Sequence, residues 1–365
     1  MKPKQQSVTR LPLIGARQVA LLEKLSNACA VSGDEGEVRR IVQDELKSVA
    51  DEMKHDALGN LLVIRKARTE SFLKVMIAAH MDEVGFMIVD KEEGGLFRFE
   101  VVGGVSKSHL AGKAVWVGTK HHHGVIGAKA IHLISPEELK SPISLENLRI
   151  DMGPGGSDHA RVGDRATFAT TFRRVGPSLI GKALDNRLGV ATLIELVKHA
   201  PMHIELQAAF TVQEEIGARG ASVAAYALQP DLAIALDSTP AYDLPDWDGQ
   251  ENTRYNTRLG FGPAIYVADA GTISDPRLIS FLVATAEQYR IPYQIRQPGG
   301  GGTDAGAIHR SRAGVPSVSV SIPGRYAHTP AGLCRISDWR HTLALLYHAL
   351  QDITPSILET ERRMP

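Results

Sequence analysis

Two histidines and five acids in this chain could act together on a hydrolysable bond: His80, Asp82, Asp185, Glu214, Glu215, Asp237 and His328. Imidazoles and carboxylates without thiolates form an oxygen-rich ligand set, which suits Zn²⁺, Co²⁺ or Mn²⁺ better than a thiolate zinc site would. The sharpest feature is the doublet Glu214-Glu215 in QEEIGARG. Like charges this close cost free energy unless a cation lies between or beside them. Two cations about 3.5–4 Å apart that share one carboxylate are a recurrent hydrolytic arrangement. One carboxylate of the doublet is therefore expected to bind metal, and its neighbour to take a proton from activated water and pass it to a leaving group. Asp82 stands two residues after His80, where it can accept the second imidazole N–H and fix the tautomer.

Each residue alone has a plainer reading. A histidine after a strand is usually a satisfied polar group, Asp185 a helix cap, an acidic doublet a solvated loop, and Asp237 the start of an Asx turn with Ser238. Placement argues for a shared centre. Apolar runs at 60–66, 73–82, 204–212, 230–237, 292–298 and 314–324 read as strands, and helical spacing marks two helices within 17–50 and others at 185–200, 220–229, 275–290, 304–312 and 337–353. Alternating strands and helices predict an α/β sheet with helices on both faces, and such sheets place their sites at the carboxyl ends of the strands. The candidate ligands fall at those ends or, for Asp185, at a helix start.

Residues 84–175 differ in character. Short β-rich runs are separated by Gly, Asp and Pro turns, with one helical candidate at 135–141, and they read as a small inserted β-barrel or sandwich. The α/β domain is thus expected to be discontinuous, 1–82 and 177–365, around an insert at 83–176. With 365 residues, 43% hydrophobic, two domains with real cores are the expectation. Lys plus Arg equal Asp plus Glu at 41 each, which gives no support for nucleic acid or an acidic membrane as a partner. Two cysteines, Cys29 and Cys334, argue against a disulfide framework and fit a reducing cytoplasm. The N-terminal segment lacks the apolar core of a signal peptide, and no apolar run is long enough for a membrane span.

Gly299–Gly302 followed by Thr303 lacks the lysine and spacing of a phosphate-binding loop. It reads instead as a substrate-facing loop, with Gly301, Gly302 and Thr303 closest to the ligand because glycines permit close backbone approach. Arg219 and Arg325 could hold a substrate carboxylate or pair with acids of the fold. His121-His122-His123 cannot all chelate one ion, since neighbours in a strand alternate faces, so they read as an exposed turn or an adventitious metal site. Met81 and Met87 read as core.

The motifs AHMDEVGF (79–86), ALDNRLG (183–189), TVQEEIGARGA (211–221), ALDSTPAYDLPD (235–246) and GGGTDAGAIH with GVPSVSVSIPGRYAHTP (300–330) resemble those of the dinuclear-metal tetrahedral aminopeptidases, the glutamyl and deblocking type, some of whose bacterial members are labelled endoglucanases. The resemblance runs through nearly the whole chain. It implies a zinc-exopeptidase-like mixed sheet with an inserted β-barrel. It implies two divalent ions per subunit, Asp185 bridging, His80 and Asp237 completing one site, and Glu215 and His328 the other. Glu214 would be the general base and Asp82 the group that orients His80. It also implies dimerisation through the insert and assembly into a dodecamer. One position departs from the family: Gly332 stands where a glutamate usually follows the second histidine, so His328 is expected to have weaker local support.

The expected function is removal of N-terminal residues from short peptides. Two alternatives are a glycosidase using Glu214 and Glu215, and a metal-binding assembly protein with little turnover. Adjacent carboxylates flank a glycosidic bond poorly, and 5% aromatic residues leave few sugar-stacking platforms.

Overall fold

A computed structural model describes residues 11–136, 140–141, 143–244, 256–359 and 361–362. Its strands are β1 (Glu52–His55), β2 (Leu61–Arg65), β3 (Lys74–His80), β4 (Gly85–Lys91), β5 (Leu96–Val102), β6 (Ala114–Val117), β7 (His122–Gly127), β8 (Arg149–Asp151) and β9 (Arg165–Phe168). They continue with β10 (Arg173–Val175), β11 (Ser178–Gly181), β12 (Glu205–Thr211), β13 (Leu232–Pro240), β14 (Ala264–Tyr266), β15 (Gln294–Arg296), β16 (Ser317–Arg325) and β17 (Gly332–Arg335). The helices are α1 (Ala16–Asn27), α2 (Gly36–Leu46), α3 (Leu184–Lys198), α4 (Arg219–Leu228), α5 (Pro276–Gln288), α6 (Ala305–Ile308) and α7 (Ile336–Asp352).

The large sheet runs β1-β2-β12-β3-β13-β16-β17-β11-β10, with β14 beside β16 and β15 beside β14. Its centre, β12-β3-β13-β16, is parallel, and its flanks are antiparallel. Central parallel strands are covered on both faces and so read as continuous apolar runs, as KVMIAAH and ELQAAFT do. One face packs on α1, α3, α5 and α7 through a core that includes Leu188, Ile194, Leu206, Ile234, Val320 and Trp339. On the other, Ala78 and Ala209 meet Ala221, Ala224 and Ala225 of α4, and the small side chains bring helix and sheet close together.

The strands β4-β5-β8-β7-β6-β9 form a separate closed barrel. Its core is aromatic: Phe86 stands edge-on to Phe99 and to Phe168, each with ring centroids 5.2 Å apart. The fold therefore joins a helix-flanked mixed sheet to a β-barrel, as the sequence predicts.

Several local expectations change. The run RATFATTFRRV holds two strands of different sheets, β9 in the barrel and β10 at the edge of the large sheet. No Gly or Pro marks the break, so the pattern conceals it. The run GVIGAKAIHLI leaves strand structure after Gly127 and makes a 3-10 turn at Ile131–Leu133. The helix expected at 304–312 is a single turn, α6. Part of the helical candidate at 135–141, residues 137–139, lies outside the described residues. Met81 is core, whereas Met87 is half-buried on the barrel. Both cysteines are free.

Candidate metal centre

The adjacent parallel strands β12, β3, β13 and β16 bring their carboxyl ends to one edge. His80 is the last residue of β3, Glu214 and Glu215 follow β12, and His328 follows β16. Asp237 differs slightly from expectation: β13 continues through it to Pro240, with Asp237 in register with Ser321 of β16.

Asp185 reaches the same edge from the start of α3. It is not the cap of that helix. Asp185 and Asn186 have non-helical backbones, and Asn186 Oδ1 accepts from Gly189 N–H at 3.1 Å, while Asn186 Nδ2 donates to Leu236 O at 2.7 Å. With capping left to Asn186, the Asp185 carboxylate is free to face the edge. Its Oδ1 lies 3.4 Å from His80 Nε2 and its Oδ2 3.4 Å from His328 Nε2. His80 Nε2 is also 3.4 Å from Asp237 Oδ1, and His328 Nε2 is 3.1 Å from Glu215 Oε2.

Two triads result, His80/Asp185/Asp237 and Asp185/Glu215/His328, and in each the ligand atoms lie within 4.8 Å of one another. Among the described residues, Asp185 Oδ1 is buried with no hydrogen-bond partner. A buried carboxylate oxygen left unmatched is costly, and a cation removes that cost, so the donor set fits metal binding.

The electrostatics agree. Burial pushes the Glu215 carboxyl up to about 8, with Asp185 adding to the rise against the pull of His328. Burial also raises Glu214 well above the carboxylate range, and Asp237, Asp304 and Glu215 add to the effect. Burial opposes charge on His328, but Asp185 and Glu215 outweigh it and bring its pKa to about 9. For His80, burial is likewise outweighed by Asp237, Asp185 and Asp82. A crowd of buried carboxyls retains protons unless cations replace them.

Asp82 organises the acidic doublet as much as the histidine. Its Oδ1 accepts from Glu214 N–H at 3.0 Å, and its Oδ2 accepts from Glu215 N–H at 3.1 Å and from Ser32 Oγ at 2.6 Å. His80 Nδ1 lies 3.2 Å from the Asp82 carbonyl and 3.6 Å from its carboxylate, so the carbonyl is the nearer partner. The doublet is further shaped by left-handed backbone at Gln213 and Ala218, φ 56° and 49°. Gly220 then packs where a Cβ would collide with Asn60 Oδ1 and Val212 O.

His328 takes support from the barrel. Its Nδ1 lies 3.0 Å from the carbonyl of Gly104, in the segment after β5. This contact supplies what Gly332 cannot, since that residue opens β17 and has no side chain.

The centre lines a cavity of about 630 Å³, together with Gly301, Gly302 and Thr303. Arg325 does not line it. That side chain is paired with Asp243 at 2.7 Å, and Arg219 is exposed at the start of α4.

Sequence reasoning missed four groups. Glu83 is buried and accepts from Lys182 and Arg187, and Arg187 in turn donates to the Met81 and Asp82 carbonyls, which holds the turn after His80. The signal was present: Lys182 and Arg187 flank Asp185 in GKALDNR. Asp304, pushed up to about 7 by burial, accepts from Thr211 Oγ1 at 2.5 Å, which ties the glycine loop to the end of β12. Arg296 and Arg310 line the cavity wall.

With this geometry in place, comparison with known proteins decides the family. Residues 59–345 match the model of the M42 glutamyl aminopeptidases. The chain belongs to that family. A candidate aminopeptidase of Acetivibrio thermocellus is 38% identical over 335 residues, 90% of this chain and 97% of that protein. The lysyl aminopeptidase of Pyrococcus furiosus is 33% identical, covering 92% of this chain and 97% of its own. Among solved structures, the TET1 peptidase of Pyrococcus horikoshii, which assembles into a tetrahedron or a large octahedral shell, superposes with a TM-score of 0.81 at 32% identity, over 92% of this chain and 100% of its own. M42 membership supports an aminopeptidase, hence a hydrolase, of the metallopeptidase class. Among the described residues no helix is long and apolar enough to cross a membrane.

Proposed function

We propose that this M42 member removes N-terminal residues from short peptides by means of a dinuclear metal centre. One observation carries the reading: the two oxygens of Asp185 face two different histidines, each of which has a further carboxylate beside it. Asp185 would bridge, with His80 and Asp237 on one ion and Glu215 and His328 on the other. Bound Zn²⁺ or Co²⁺, or Mn²⁺, would polarise the peptide carbonyl and make water a nucleophile near neutral pH.

Glu214 serves as the general base. Its side chain lines the cavity, its amide is fixed by Asp82, and no role as a ligand is needed from it. Cationic charge beside it lowers the raised pKa of its carboxyl, so that it takes a proton from water and returns it to the departing amine. Asp82 holds both members of the doublet in place and faces the ring of His80. Gly301, Gly302 and Thr303 form the wall along which the peptide lies.

That wall favours an acidic first residue. Arg296 is 3% exposed and donates to the carbonyls of Ala268 and Gly300, but its Nε is buried with no hydrogen-bond partner among the described residues. Arg310 donates to Gly306 O. Among the described residues neither guanidinium pairs with a carboxylate. A Glu or Asp side chain would supply the missing charge. The chain is further proposed to form dimers through the 83–176 insert and to assemble as a dodecamer, in line with the large TET1 assemblies, and its two free thiols fit the cytoplasm.

The test is Glu214→Gln, assayed on aminoacyl anilides. Metal content should be retained and kcat should fall by about 10²–10⁴-fold. Undiminished turnover would remove Glu214 from the mechanism. Reducing-sugar release that survives full chelation would favour a glycosidase instead.

A further inference from the structure

A second cluster of metal-ligating side chains lies away from the cavity, where the barrel meets the α1–α2 corner. Cys29 follows α1, Glu37 lies in the first turn of α2, and His121 is at the turn between β6 and β7. One ligand atom from each lies within 4.8 Å of the other two. His121 Nε2 is 2.6 Å from Glu37 Oε1. The other oxygen, Oε2, accepts from the Cys29 N–H at 3.0 Å, so Glu37 is anchored through one oxygen and presents the other. The His121 ring is stacked on Trp116, with centroids 5.7 Å apart and an interplanar angle of 18°. A cavity of about 70 Å³ opens beside the cluster, lined also by Asp34, Arg40 and Arg165, with room for a water as a fourth ligand. His122 and His123 go elsewhere: His122 stacks on His159, and His123 is opposite Trp116 in the ladder.

We infer that Cys29, Glu37 and His121 form a separate mononuclear site for a divalent transition metal, zinc above all, which cross-braces the barrel to the helical corner of the large sheet. A thiolate, an imidazole and a carboxylate are each zinc ligands, at metal distances of about 2.0–2.3 Å. Binding replaces the His121–Glu37 hydrogen bond with two coordinate bonds, shifts the His121 ring proton from Nε2 to Nδ1 and releases the Cys29 thiol proton to solvent. Because the barrel carries the Gly104 carbonyl that supports His328, the brace also steadies the candidate active site.

The site can be read independently of the dinuclear centre, whose proposed ligands contain no sulfur. Metal-free full-length protein is titrated with Co²⁺ and followed in the near-ultraviolet, where thiolate-to-cobalt charge transfer absorbs. A saturating band with the intensity of one thiolate-bound cobalt per chain is expected, over and above the cobalt taken up by the dinuclear centre. It should vanish in Cys29→Ser, persist in Cys334→Ser, and require at least about tenfold more cobalt in Glu37→Gln and His121→Ala. Zinc should raise the melting temperature of the parent more than that of Cys29→Ser. The proposal is overturned if saturating cobalt gives no band, if the band depends on Cys334, or if it survives unchanged in both Glu37→Gln and His121→Ala, which would mark adventitious binding to a single thiol.

Discussion

Replacing Glu83 with Gln tests whether the turn after the candidate ligand His80 is held by a buried ionic cluster. Glu83, Lys182 and Arg187 have side chains 3%, 1% and 0% exposed. Oε1 accepts from Lys182 at 2.8 Å, from Arg187 at 3.0 Å and from Ala30 N–H at 3.0 Å, while Oε2 accepts from Lys182 at 2.9 Å and from Thr167 at 2.8 Å. Gln keeps the shape but gives one of these positions to an NH₂ group. At Oε1 that group would face three donors. At Oε2 it faces Lys182 and a hydroxyl that can rotate to accept, so this orientation is preferred. Lys182 and Arg187 then share one neutral acceptor, with no counter-charge. Breaking a buried pair in this way costs about 3–5 kcal/mol. The assay is urea denaturation followed by circular dichroism, in which a lower midpoint at unchanged slope reports the loss. Lys182→Met in the Glu83→Gln background should cost less than the sum of the two single changes, by about 0.5–3 kcal/mol.

The pH dependence has a definite sign. Burial alone would raise the Glu83 carboxyl, but Lys182 and Arg187 outweigh it and hold it below its ordinary 4.5. Its contribution is therefore complete above that value and is lost only as pH falls through the lower folded pKa. The gap between parent and variant should be flat from pH 6 to 8, by about the same 3–5 kcal/mol, and narrow only in acid. A loss below about 1 kcal/mol at neutral pH, the level of an exposed pair, would refute the idea that this cluster holds the turn.

Asp82→Asn should weaken metal retention about 10–100-fold, measured by competition with a chelator, because it disturbs both the doublet and the His80 environment. Arg296→Met should lower kcat/KM on glutamyl anilide by about 10–100-fold while sparing the leucyl anilide, as expected for loss of a charged hydrogen bond; an equal fall on both would end the assignment of acidic preference. Gly220→Ala places a Cβ against Asn60 Oδ1 and Val212 O and should cost about 1–3 kcal/mol in denaturant midpoints.

The candidate ligands were legible because polar residues at the ends of apolar strands conflict with burial and so mark a site. The core strands followed from apolar runs alternating with helical patterns, and the insert's short strands from β-rich runs between turn residues. What stayed hidden depends on partners distant in sequence. Glu83 carries no signal of its own in the sequence, because nothing local indicates that Lys182 will be 2.8 Å away. Arg296 reads as an ordinary strand residue until Tyr266 stacks beneath it at 4.2 Å and the glycine loop passes over it. Asp185 looks like the cap of α3, and only the backbone shows that its neighbour Asn186 does that work. The run at 165–175 hides its break because no punctuating residue marks the passage from barrel to sheet.

The contact between His328 and the Gly104 carbonyl has a consequence for biosynthesis. A ribosome delivers the Gly104 carbonyl first and His328 224 positions later. Until then the second triad lacks a member, whatever has already folded upstream. On the proposed reading of the centre, a polypeptide that stops short of His328 cannot hold the second ion and should be inert toward its neighbours.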